Sequence, residues 1–273
     1  SLSAANLARA QGFGVYEHGA CVMGMADGAV ARPCGDGSAL YYNPAALAGV
    51  EGTRASTGLS GILLDGQFTA DGTGRTTEME SSWEAVPYAY ASHAVTDRIT
   101  AGLGAFVPYG LSTRWPTDFA GRFVGYDNTL QTIFVQPTVA FQVTDRLQVG
   151  GGPTFAFGSV ELNRRLDLAR QPAQHSAGAP AGTTLGDLGI PPGTDFADAG
   201  LEADAGTTVG VNLGVRLRID ERVTLGGRYL SEVGMEYDGS VDFEPVSTGI
   251  QLPEGNPFGV PGGTPLDQVV QSL

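Results

Sequence analysis

Residues 208–220 read TVGVNLGVRLRID. Val209, Val211, Leu213, Val215, Leu217 and Ile219 fall on one side of a two-residue period, and Thr208, Asn212, Arg216, Arg218 and Asp220 fall on the other. Strict alternation over this length is the signature of a strand with one apolar and one polar face. The run is roughly twice the usual five or six residues of a strand in a globular protein. The same pattern recurs on both sides of it. Ile99, Ala101, Leu103, Ala105 and Val107 alternate with Thr100, Gly102, Gly104 and Phe106. Ile133, Val135, Val139, Phe141 and Val143 oppose Thr132, Gln136, Thr138 and Gln142, and Leu147, Val149, Phe155 and Phe157 oppose Gln148, Gly150, Gly152 and Thr154. A seventh run sets Val223, Leu225, Tyr229, Val233 and Met235 against Thr224, Arg228, Glu232 and Glu236, and two less regular strands are expected near residues 53–64 and 82–95.

The connections sort by end. Thr96-Asp97-Arg98, Thr144-Asp145-Arg146 and Asp220-Glu221-Arg222 read as tight turns, whereas residues 65–81, 110–129, 163–206 and 243 onward read as long links. Short turns at one end and long loops at the other are what an antiparallel transmembrane β-barrel of the outer membrane requires. A soluble sandwich also alternates apolar and polar, but does not sort its loops in this way. None of the apolar-face positions carries a charge, and a charge facing lipid at mid-depth costs about 2–4 kcal/mol. The fold expected is all-β, with Arg216, Arg218, Arg228, Glu232 and Glu236 turned to the lumen.

Composition narrows the function. Fifteen basic against 29 acidic residues give a formal charge of -14, which speaks against a nucleic-acid partner. No apolar run reaches the length of a transmembrane helix, a test blind to barrel strands. His18, His93 and His175 show no metal-ligand spacing, and there is no nucleophile elbow and no strand-to-helix glycine loop. No enzyme, cofactor or metal is therefore expected.

The stretch 12–47, GFGVYEHGACVMGMADGAVARPCGDGSALYYNPAAL, does not alternate. It holds both cysteines, Cys21 and Cys34, which in an exported protein are the one pair available for a disulfide, the alternative being two buried thiols. Asn43 suits a helix cap with Pro44 at the first helical position. In front of it, Ala8-Arg9-Ala10 fits the cleavage site of a secretory signal and equally an alanine-rich start.

The elements Ala10-Gln11-Gly12-Phe13, Glu17-His18-Gly19-Ala20, residues 24–31, and Tyr41-Tyr42-Asn43-Pro44-Ala45-Ala46-Leu47 ahead of Gly52-Thr53 resemble the FadL/TodX family of outer-membrane transporters of hydrophobic compounds. The resemblance covers essentially the whole chain. It implies a fourteen-stranded barrel with residues 1–10 as a signal remnant, 11–50 as an N-terminal hatch inside the barrel, and 51–273 as strands with long extracellular loops. It further implies capture of long-chain fatty acids or aromatic hydrocarbons by the loops. Gating then falls to the hatch (Gly12, Phe13, Glu17, His18, Asn43, Pro44, Ala45), and release is lateral at a kinked third strand. Outer-membrane lipid is the surrounding partner, and the complete protein is expected to be a monomer.

Here the third strand runs into Val107-Pro108-Tyr109-Gly110, where a proline breaks a ladder bond. An ordinary strand end would look the same. A carboxylate ligand calls for a cation: Arg164 and Arg165 beside the long loop, or Arg216, Arg218 and Arg228 on the lumen face, these last otherwise pairing with Glu232 or Glu236. Leu166, Leu168, Leu185, Leu188 and Ile190 with Leu252, Phe258 and Val260 suit an outer groove or the loop's own packing. Residues 265–273 suit a short amphipathic helix. Seven strands are half the family's number, so the sequence is expected to be a fragment, incomplete at its C-terminus. The competing function is a general porin, or a structural or adhesive barrel.

Overall fold

The computed structural model describes residues 13–26, 28–173 and 182–270. Gly12 and the Ala8-Arg9-Ala10 element lie outside them. Eleven strands are present among these residues: β1 (Thr53–Leu64), β2 (Gln67–Thr69), β3 (Thr76–Glu78), β4 (Ser82–Thr96), β5 (Ile99–Phe106), β6 (Gly110–Arg114), β7 (Asp127–Gln142), β8 (Leu147–Asp167), β9 (Asp195–Arg218), β10 (Thr224–Leu230) and β11 (Tyr237–Pro245). Nine of them form one antiparallel sheet in the order β1-β4-β5-β7-β8-β9-β10, with β6 on β7 and β11 on β9. Each of the seven expected runs contains a strand, but β6 lies in the expected 110–129 link, and the seventh run is strand only over Thr224–Leu230, with β11 beyond its expected end. The sheet curls as part of a barrel wall.

One device makes all three short turns. The Thr96 hydroxyl accepts from the amides of Arg98 and Ile99, the Thr144 hydroxyl from Arg146 and Leu147, and the Asp220 carboxylate from Arg222 and Val223, at 2.7–3.2 Å. A short oxygen-bearing side chain at the first turn position satisfies two amides that have no strand partner. At the other end, much of what reads as loop is strand. β8 and β9 stay paired from Asn163↔Gly200 to Asp167↔Asp195, and residues 65–81 hold the β2–β3 hairpin.

One expectation is corrected. Between Ala156↔Thr208 and Gly158↔Ala205, the single residue Phe157 faces Gly206 and Thr207. A bulge of one residue turns every later side chain of that strand to the opposite face. The seventh run makes the matching switch between Leu230↔Asn212 and Tyr237↔Ala205. Val233 and Met235 therefore pack inward on the core, and Glu232 and Glu236 are exposed on the other side. Those carboxylates are not lumen partners for Arg216 and Arg228.

Two cores result. The larger packs Leu40, Tyr41, Tyr42 and Leu47 of the N-terminal segment on Tyr90, Phe106, Phe134 and Ala156 of the sheet's inner face. The smaller lies among the long connections, where Leu168, Leu185, Ile190, Leu252 and Leu266 are buried, with Leu188, Phe258 and Val260 half-buried around them. Leu266 opens a one-turn helix, Leu266–Val270. The outward face of the sheet leaves Leu103, Ile133, Phe141, Val209, Leu213, Leu217 and Leu225 exposed, as a lipid-facing band requires.

Candidate functional site: a cavity beside the third strand

The N-terminal segment is held on the inner face mainly by its backbone carbonyls. It carries two short helices, α1 (Ala20–Gly24) and α2 (Ala39–Tyr42), and a 3-10 turn over Pro44–Leu47. Gln136 Nε2 donates to the Leu40 carbonyl at 2.8 Å, Asn212 Nδ2 to those of Leu40 and Tyr41 at 3.2 and 3.0 Å, Gln148 Nε2 to that of Ala48 at 2.9 Å, and Arg216 Nε to that of Ala31 at 3.0 Å. These amides and the guanidinium alternate with apolar residues in sequence because the polar face of each strand meets peptide groups, not lipid. Helix-end carbonyls, which lack an intrahelical partner, take such donors readily.

Asn43-Pro44-Ala45 sits where the wall is thinnest. Asn43 Oδ1 accepts from the Ala45 amide at 3.1 Å, capping the turn, while Nδ2 donates to the Val30 and Val215 carbonyls at 2.7 and 3.0 Å. Gly150 and Gly214 are cross-strand neighbours beneath it. A Cβ on Gly150 would lie 2.7 Å from the Pro44 carbonyl, and one on Gly214 would collide with the Asn43 side chain. The missing side chains are what let the turn approach. Cys21 and Cys34 are joined, with Cα atoms 6.0 Å apart, tying α1 to the loop before α2.

His18 is fully buried beside Tyr41, Tyr42 and Phe106, at ring distances of 4.6, 6.2 and 5.4 Å, with Nε2 3.0 Å from the Val107 carbonyl. Burial pushes its pKa down to about 4, against the opposing pull of that carbonyl. Burial likewise pushes the Tyr41 hydroxyl up to about 12 despite nearby Arg228. The Arg228 guanidinium stacks 4.1 Å from the Tyr41 ring centroid, and its Nε donates to Asn212 Oδ1 at 3.1 Å. Glu17 folds back, accepting from the Tyr16 amide at 2.9 Å, and its carbonyl takes the Ser60 hydroxyl.

The third strand is bent where Pro108 stands. Between Phe106↔Phe134 and Gly110↔Gln131, the three residues Val107, Pro108 and Tyr109 face only Thr132 and Ile133. The Thr132 hydroxyl holds this bulge, donating to the Tyr109 carbonyl at 2.8 Å and lying 3.2 Å from its amide. The pairing with β4 stops at Tyr88↔Phe106, and β6 continues on β7 alone. The next bond across is Glu80 N to the Arg114 carbonyl, 2.8 Å. Between these two rungs the wall is unzipped along residues 82–87 of β4.

A cavity of about 290 Å³ occupies the gap. Its lining takes inward residues (Ile62, Val86, Leu130) and outward ones (Pro87, Ile133), so it draws on both faces of the sheet. Pro87 lines it and Pro108 stands on the bulge beside it, and a missing N–H suits backbone with no ladder partner on the side of the gap. The inner side is covered by the N-terminal segment. Val15 N donates to the Pro108 carbonyl at 2.8 Å, Gly110 N donates to the Phe13 carbonyl at 3.0 Å, and Gly14 bridges Tyr109.

The structure thus brings Phe13, His18, Pro108, Tyr109 and Gly110 together. Arg216 and Arg228 lie under the N-terminal segment, engaged by its backbone and by Tyr41. Arg165 lies 3.6 Å from Asp198 near Tyr126, and Arg164 is exposed on the extended β8. Leu252 and Phe258 belong to the loop core and do not line this cavity. Sequence reasoning did not single out Glu84, Val86, Pro87 or Thr132 as site residues, though a proline inside the less regular run 82–95 was a visible sign at Pro87.

A long-stranded antiparallel wall, apolar outside and carrying a packed segment inside, defines an outer-membrane β-barrel protein. The chain belongs to the outer membrane protein transport protein family (OMPP1/FadL/TodX), whose model matches residues 1–260. Among solved structures it is similar to a Pseudomonas aeruginosa FadL homologue, with TM-score 0.61 and 21% identity, covering 82% of this chain and 53% of that one. It is also similar to the P. putida toluene transporter TodX, with TM-score 0.54 and 19% identity, covering 77% and 57%. A putative outer membrane protein of Neisseria meningitidis serogroup B is 29% identical over 99 residues, 33% of this chain and 21% of that protein. The chain therefore spans about half the length of the solved relatives it matches.

Proposed function

We propose that this chain carries the uptake path of a transporter for hydrophobic small molecules. Ligands of the fatty-acid or aromatic-hydrocarbon kind are captured at the extracellular loops. They pass a hatch formed by residues 11–50 and leave sideways into the membrane between β4 and β6. The observation that supports this most is the apolar cavity lined from both faces of the wall and covered by Phe13–Val15. Lateral exit keeps an apolar ligand out of water throughout, since each buried CH₂ re-exposed would cost about 0.8 kcal/mol. The half-buried Leu188, Phe258 and Val260 at the edge of the loop core offer the first contact.

The test is uptake into liposomes by the protein carrying this chain. Transfer of a hydrophobic probe without swelling in sugar solutions is expected, and removal of residues 11–20 is expected to abolish that transfer while the barrel stays inserted. Sugar-driven swelling with no hydrophobic transfer would establish a porin instead.

A further inference from the structure

We infer that Glu84 is a charge filter at the inner mouth of the passage, letting uncharged hydrophobic molecules through and holding back those that carry a carboxylate. The inference rests on the lateral-uptake reading above and narrows its substrate class. Among the described residues that line the cavity, Glu84 alone is charged. It sits opposite Ile62 on the inward face of the wall, two residues before Val86, so it borders the cavity on its lumen side. Ser82 Oγ donates to Glu84 Oε1 at 3.2 Å, a contact that leaves the negative charge in place. Arg114 on the facing strand feels Glu84 through space, but its direct ion pair is with Asp127 at 3.0 Å, and that carboxylate already offsets the cation.

The cations that would welcome an anion are elsewhere. Arg216 and Arg228 are engaged beneath the N-terminal segment, and Arg165 faces Asp198 beyond the wall. A carboxylate entering the gap comes within about 5 Å of Glu84, where an effective dielectric of about 20 disfavours it roughly 100-fold. A hydrocarbon carries no charge for Glu84 to repel and packs on the predominantly apolar lining.

The experiment compares inward flux of toluene and of laurate at pH 8 in vesicles reconstituted with the wild-type protein, Glu84→Gln, Glu84→Asp and Glu84→Arg. Glu84→Gln is expected to raise laurate flux about 10- to 100-fold while toluene flux changes less than about twofold. Glu84→Arg is expected to raise it at least as much, and Glu84→Asp, which keeps the charge, to stay near wild type. Laurate flux unchanged in the Gln and Arg variants with toluene flux intact would overturn the filter alone. An equal rise in the Asp variant would overturn it too, by pointing to shape. Toluene flux no faster than in protein-free vesicles would overturn the lateral-uptake reading and the filter with it.

Discussion

The Val15 amide donates to the Pro108 carbonyl at 2.8 Å, so the N-terminal segment supplies a ladder bond at the place where the third strand leaves its neighbour. A bent strand would otherwise expose unpaired backbone to an apolar gap, at roughly 1–3 kcal/mol per group. Val15→Pro removes that donor. It is expected to free residues 13–18 from the wall while leaving the rest of the sheet intact. A spin label at position 13 should become mobile, with strand content by circular dichroism unchanged. A label as immobile as in wild type would show that the bond does not hold the segment.

Gly150 and Gly214 are the seat of Asn43-Pro44-Ala45. Gly214→Ala is expected to lift the turn and break the Asn43–Val215 bond, costing about 1–3 kcal/mol as close-packed atoms are forced apart. Gly227, which lies on the next strand and meets only Val215, is the control: Gly227→Ala should lower thermal stability far less. Equal melting temperatures for the two variants would contradict this account.

The burial of His18 is expected to make docking of the N-terminal segment pH-dependent. Its pKa falls from 6.5 when exposed to about 4 when buried, so between those values the undocked segment binds the proton more tightly. Docking is therefore strongest above about pH 6.5 and weakens as pH falls toward 4, by up to about 3 kcal/mol. The groups around the ring are Glu17, Arg228, Tyr41 and Tyr42. Label mobility at position 13 should rise between pH 7 and pH 4.5, and His18→Gln should flatten that profile. A profile unchanged by the substitution would exclude His18 as its source.

The exposed apolar band predicts where charge is forbidden. Leu213→Arg is expected to destabilise the folded protein in bilayers by about 2–4 kcal/mol, measured by denaturant titration. At the exposed Glu202, beyond the bulge, Glu202→Arg is expected to cost little. Equal costs at the two positions would place the bilayer elsewhere.

Linking Cys21 to Cys34 closes a loop with a sequence separation of 13. By loop-closure entropy this is worth about 3 kcal/mol to the folded segment. Maleimide should label the denatured protein only after reduction. The double variant Cys21→Ser with Cys34→Ser should make residues 22–33 more open to protease without affecting insertion.

Residues 208–220 and their repeats determined the sheet, its polarity and the end at which its turns are short, because a strand's period of two is a local property that any window displays. The Asn43-Pro44 turn was legible for the same reason, its cap being made within three residues. What the sequence did not display is whatever depends on counting across strands. The bulge opposite Phe157 reversed the facing of Val233 and Met235, and no local pattern marks a one-residue slip between partners. Arg216 and Arg228 read as cations for a ligand or as wall ion pairs, since nothing in an alternating strand says that another segment's carbonyls and rings will fill the lumen. The gap itself exists only as a relation: Pro87 and Pro108 are ordinary residues until the register ends at Tyr88↔Phe106 and leaves the six residues before it, Glu84 among them, paired with β1 alone.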